Sequence, residues 1–241
     1  MCTVSFVKSG NKVIVTSNRD ESVVRLNAIH PKKYTIKDKI VIYPKDPKAG
    51  GTWYVADQCG TILVLLNGAQ EKHQMAPPYR MSRGLIVLDI IGSQSAVDFW
   101  KGIDLDNIEP FTLVLYQEEN LYQLRWDGKQ KETLSLDTDK KHIWASSTLY
   151  PAAIRAKRAE LFHEFLDKKE QVSEEELYQF HRYTDADNPE NGLIINRNNE
   201  LKTLSITQSV LEHNTLEMKH YDLIHNQEYN TSIAIIKKLA H

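Results

Sequence analysis

A cysteine stands second in the chain, and four polar residues in a row, Asn18-Arg19-Asp20-Glu21, follow one apolar hairpin later. A thiol of ordinary pKa, about 8.5, is only a few per cent thiolate near pH 7, so it needs a neighbour to become a nucleophile. A guanidinium is one such neighbour, because it favours the anion. Loss of Met1 would be another route. It would leave Cys2 with a free α-amine of pKa about 7.7–8.0, which can act as the nucleophile's own base. If Met1 stays, that nitrogen is an amide and takes no proton. The small cysteine side chain suits methionine removal. The competing readings are an ordinary buried thiol at a strand start and a solvated charged turn.

The elements that must position these groups are legible around them. Residues 3–8 and 12–18 are rich in β-branched side chains and flank Ser9-Gly10-Asn11, the pattern of a β-hairpin. A two-residue Gly10-Asn11 turn of type II′ pairs Val7 with Ile14 and, by extension, Cys2 with Arg19. A three-residue turn puts Cys2 opposite Asn18 instead. Adjacent strand residues point to opposite faces. Without a bend, only one of Arg19 and Asp20 can face Cys2. Apolar residues on both faces of both strands imply that the hairpin is covered on two sides.

Residues 22–39 read as an irregular charged loop, 39–43 as a strand and 44–49 as a second loop. Gly50-Gly51-Thr52-Trp53 allows close backbone approach. It either lines a pocket walled by Trp53 or leads tightly into a strand. Residues 61–66 are a continuous apolar run, hence a buried strand. It ends at Asn67-Gly68, where the Asn67 amide either points into a cleft as an oxyanion donor or simply terminates the strand. Helices are expected over 82–91, 95–100, 151–168 and from Ser173 to about Arg182. Arg155, Lys157, Arg158 and Glu160 form the solvated face of the third. A meander is expected over 111–116, 121–127 and 131–136, a short strand over 143–147, a hairpin over 201–211 and 215–222, and a last strand or helix over 231–239. The order of strands, helices, strands, helices, strands fits an α+β layered domain, not a βαβ alternation.

The chain has 241 residues and no visible linker, which fits one domain over 1–241. Thirty basic against 32 acidic residues give a net charge of -2, so there is no basic field for nucleic acid. Cys2 and Cys59 do not make a disulfide framework. Neither a secretory leader nor an apolar run of about 18 residues is present, so no membrane span is expected and the location expected is cytoplasmic. The nine histidines show no metal spacing. The acidic stretch 185–192 lacks EF-hand spacing. No Walker or dinucleotide motif occurs. No metal or cofactor is therefore expected, and the oligomeric state is open.

Met1-Cys2-Thr3 with Thr16-Ser17-Asn18-Arg19-Asp20-Glu21, together with Gly50-Gly51-Thr52-Trp53 and Leu66-Asn67-Gly68, resembles the NRDE-motif proteins, which include the transport and Golgi organisation family. That family is similar to the N-terminal nucleophile hydrolases. The resemblance implies a four-layer αββα sandwich and an amidohydrolase acting on a small acyl amide. In the roles it implies, Cys2 attacks the carbonyl and forms a thioester while its amine shuttles the proton. Asp20 orients or charges that amine. Arg19 stabilises the thiolate or a substrate carboxylate, and Asn67 donates to the oxyanion. Asn18, Gly51 and Trp53 contribute to substrate binding, Asn18 also by holding the strand end. The related bile-salt and penicillin enzymes separate Arg from Asp and carry a further Asn and a late Arg. The comparable stretches here are 144–148 and 205–209, and they contain neither. The family's link to lipid and haem handling implies a second reading, a non-catalytic protein that holds a hydrophobic ligand in the same cleft.

Overall fold

The structure, a computed structural model, describes residues 2–25, 28–167 and 169–236, with the Cys2 side chain outside the description. Lys168 and residues 237–239, which the expected third helix and last element include, also lie outside the described residues.

Two antiparallel sheets face each other. The first is built from β1 (Cys2–Ser9), β2 (Lys12–Ser22), β10 (His142–Ala145), β12 (Leu201–Glu212), β13 (Thr215–Asp222) and β14 (Gln227–Ala234), in the order β10-β1-β2-β12-β13-β14. A two-residue strand, β11 (Asn196–Arg197), joins it through β12. The second sheet runs in chain order except for its one long excursion. It contains β3 (Ile29–Ile36), β4 (Lys39–Lys45), β5 (Tyr54–Asp57), β6 (Ile62–Asn67), β7 (Phe111–Gln117), β8 (Asn120–Trp126) and β9 (Lys131–Leu136). Between β6 and β7 come α1 (Arg83–Ile91) and α2 (Ala96–Gly102), which pack on β5, β6 and β7. The helices α3 (Ala152–Leu166) and α4 (Glu174–Tyr183) cover the outer face of the first sheet. The result is the expected αββα sandwich.

Alternation on the first hairpin explains the layering. Val4, Phe6, Val13 and Val15 pack into the core shared by the two sheets, whereas Val7 and Ile14 pack with Phe162, Leu177 and Phe180 of the helices. Phe6 meets Tyr116 of the opposite sheet at 5.7 Å between ring centroids, and the Tyr54 hydroxyl donates to the Val15 carbonyl at 3.0 Å. Each strand therefore offers one face to a sheet and one to a helix, and β2 is buried from Val13 to Glu21.

Helix limits follow their caps. Ser82 and Ser95 cap α1 and α2, and Ser173 with Glu176 forms a reciprocal capping box at the start of α4. The expected loop over 22–39 is corrected: it contains β3. This strand sits at the sheet edge, where Pro31 removes no ladder bond that the fold needs, and its lysines face water. β4 continues through Pro44 to Lys45, and the last strand begins at Gln227 rather than 231. Arg158 is a further correction. It is 1% exposed, because it lies four residues from both Ile154 and Phe162 and so falls on the buried stripe of α3.

Candidate active site

The hairpin has the two-residue turn, with Gly10 at φ +60, and its register pairs Cys2 with Arg19 and Thr3 with Asn18. Arg19 has the parity of Val13 and Val15 and so belongs to the face turned to the second sheet. Opposite Arg19 and Asp20, β12 carries a bulge between Thr203 and Ser205. Bulges add local twist at the end of a ladder.

Arg19 opens into a cavity of about 360 Å³. Its guanidinium lies 4.3 Å above the Trp53 ring, and both residues are almost fully buried. A guanidinium stacked on an indole is held by the ring's negative face. Asn67, at the end of β6, and Gly51, ahead of β5, line the same cavity. These four are among the residues the sequence places at the site, and the fold brings them together. The Gly50–Trp53 stretch serves both purposes considered for it. A β-carbon at Gly51 would lie 2.4 Å from the Gly84 carbonyl carbon, so α1 seats directly on this turn, and Trp53 walls the pocket.

Asn18 and Asp20 go the other way. Neither lines the cavity, and both are sealed under the helices at 0% exposure. The Asn18 amide NH₂ donates to the carbonyls of His181 at 3.1 Å and Leu193 at 2.7 Å. Its oxygen faces His181 Nδ1. An amide oxygen only accepts, so Nδ1 carries the proton, and Nε2 accepts from the Ser5 hydroxyl at 2.7 Å. Burial, with the positive charge of Arg158 beyond it, lowers the His181 pKa to about 3 and keeps the ring neutral. Asn18 thus holds the strand end and does not reach substrate from this position. Asp20 accepts from the Tyr150 hydroxyl at 2.7 Å and from Thr203 at 2.6 Å. Desolvation, and after it the negative charge of Asp20, push the Tyr150 phenol well above its ordinary pKa. Arg158 stacks on Tyr150 at 3.6 Å and donates to Thr3 and to the Gly192 carbonyl. Behind the hairpin there is therefore a continuous buried polar layer.

The remaining cavity wall is charged in both signs, and none of these residues is among those expected at the site. Arg25 pairs with Glu21 at 2.8 Å and with Asp46 at 3.4 Å, and Arg83 pairs with Glu109 at 2.9 Å. Burial raises the Glu21 pKa, but the positive charge around it, to which Arg25 adds, and the Ser22 amide bring the carboxyl below its ordinary value. Burial lowers the Arg83 pKa, with Glu109 opposing. Glu21 was within reach of the sequence: two residues beyond Arg19 on a strand, it shares the Arg19 face. Arg25, Arg83 and Glu109 come from three separate segments, and no local pattern marks them.

The family model for Transport and Golgi organisation 2 matches residues 1–237. Comparison with curated proteins returns no match. Among solved structures, a Caenorhabditis elegans N-acylethanolamine-hydrolyzing acid amidase ortholog superposes with a TM-score of 0.61 at 12% identity, covering 86% of this chain and 92% of its own. Two variants of the conjugated bile acid hydrolase from Clostridium perfringens superpose over 100% of this chain and 99% of theirs at 10% identity, with TM-scores of 0.61 and 0.55. The second of these has its position-2 cysteine changed to alanine. At such identities the likeness is one of fold. No helix among the described residues is long and apolar enough to cross a membrane.

Proposed function

Because the chain belongs to the Transport and Golgi organisation 2 family and shares the sandwich of an acid amidase and a bile acid hydrolase, we propose that it is an N-terminal cysteine amidohydrolase of the NRDE-motif type, acting on a small acyl amide. The observation that carries this reading is the hairpin register. It seats Arg19, on the cavity wall with Asn67, directly across from position 2.

In this reading the Cys2 thiolate attacks the acyl carbon, and a C–S bond forms while the carbonyl oxygen becomes an oxyanion. Asn67 donates to that oxygen. The freed α-amine takes the thiol proton and returns it to the leaving nitrogen, the C–N bond breaks, and water then hydrolyses the thioester to release the acid and restore the thiol. Arg19 favours the thiolate. Asp20 acts through the ladder: anchored by Tyr150 and Thr203, it fixes the strand end against which the first residues lie. The charged cavity wall argues against the alternative of a lipid or haem carrier, since an apolar ligand would strand its ion pairs away from water.

Hydrolysis of short chromogenic acyl amides tests the reading. Cys2→Ala should abolish turnover, and Asn67→Ala should lower kcat by about 10²–10³-fold, the usual effect of deleting an oxyanion donor. Undiminished turnover by Cys2→Ala would end it.

A further inference from the structure

We infer that a second cleft, beside the end of β6, is a binding subsite for a small oxyanion group, a carboxylate or a phosphate, held by Arg125 and Arg155. The cleft has a volume of about 180 Å³ and is bounded by Gly68, Trp144, Ser146 and Ser147 together with the two arginines. Its lining differs from that of the first cavity, where Glu21, Asp46 and Glu109 stand in the wall beside Arg25 and Arg83. Among the described residues, no acidic side chain lines this cleft.

The two guanidiniums are incompletely satisfied. The Nε of Arg125 and the Nε of Arg155 are both buried, and neither has a hydrogen-bond partner among the described residues. A buried donor left without an acceptor carries a full desolvation cost, so the cleft lacks an acceptor rather than a donor. The other contacts are long and peripheral. Arg125 reaches Glu132 and Gln123, each at 3.3 Å, and Arg155 reaches Glu71 at 3.3 Å. The Glu71 side chain is 81% exposed. Exposed pairs of this kind contribute little, and a bound anion can displace them. The planar fork of arginine matches carboxylate and phosphate oxygens in a bidentate manner.

The position gives the subsite its use. The Ser146 hydroxyl donates to the Asn67 carbonyl at 2.7 Å, so the cleft and the Arg19 cavity lie on either side of one strand end. An anion held at Arg125 and Arg155 would lie beside Asn67, across that strand end from Arg19. The binding itself needs no nucleophile and does not depend on the amidase reading.

Calorimetric titration of the full chain at low ionic strength, with inorganic phosphate in one arm and acetate in the other, tests the inference. Saturable binding of at least one anion is expected. Arg125→Gln and Arg155→Gln should each weaken it at least tenfold, Arg155→Lys should weaken it less, and Arg25→Gln in the other cavity should leave it unchanged. Tighter phosphate binding assigns the subsite to phosphorylated ligands, and tighter acetate binding assigns it to carboxylates. Circular dichroism and thermal unfolding of each variant separate lost binding from lost fold. Absence of saturable binding by either anion, or equal binding by folded Arg125→Gln and Arg155→Gln, would overturn the inference.

Discussion

Alternation along β2 divides the motif residue by residue. Arg19 and Glu21 face the cavity, and Asn18 and Asp20 face the helices. The guanidinium therefore has a chemical task and the amide a mechanical one. Arg19→Gln should slow alkylation of the Cys2 thiol at pH 7 by about tenfold, the effect of one pKa unit on thiolate population. Rates with a neutral alkylating reagent measure this, and an unchanged rate would show that the arginine does not tune the sulfur. Asn18→Ala strands two carbonyls and the His181 proton, and should cost roughly 2–4 kcal/mol in urea unfolding. His181 itself gives stability a pH dependence. Its folded pKa, about 3, lies below the unfolded value of about 6.5. Between those values the unfolded chain binds the proton and the folded chain does not, so stability falls as pH drops through that window. The neutral His220, lowered by burial to about 4, adds in the same direction. His181→Gln should be less stable at pH 7 but show a flatter acid limb. A limb as steep as the parent's would contradict the assignment.

Among elements, the contact between the Gly50–Trp53 turn and α1 sets the shape of the cavity. Gly51→Ala drives a methyl into the Gly84 backbone, which has no side chain to move aside. Overpacking of this kind costs about 1–3 kcal/mol. The same change should shift Trp53, read as altered tryptophan emission, whereas retention of both stability and emission would show that α1 yields freely. The hairpin, the helices and the meander were legible because each rests on local chemistry: a Gly-Asn turn, serine caps on three helices and Pro151 at the start of α3, period-two apolar runs. β3 was not, since its lysines and Pro31 disguise an edge strand that only its pairing with β4 defines. The charge of Arg158 suggests a solvated face, whereas its spacing from Ile154 and Phe162 puts it on the buried one. Arg19, Trp53, Gly51 and Asn67 could be named in advance from motif and strand position. The ion pair Arg83–Glu109 could not, because it joins segments 26 residues apart in sequence through a fold that no local pattern states.

For the molecule as a whole, the two stacked sheets make β1 an interior strand. β1 lies between β10 and β2, with helices on one face and a sheet on the other. In the proposed chemistry this fixes the strand that carries position 2 across from Arg19. The direct test is the intact mass and N-terminal peptide map of purified protein quenched during turnover of a short acyl amide. The expected result is a chain that begins at Cys2 and carries the acyl group on that residue as a thioester released by hydroxylamine. A fully active chain that retains Met1, or turnover with no adduct on Cys2, would contradict it.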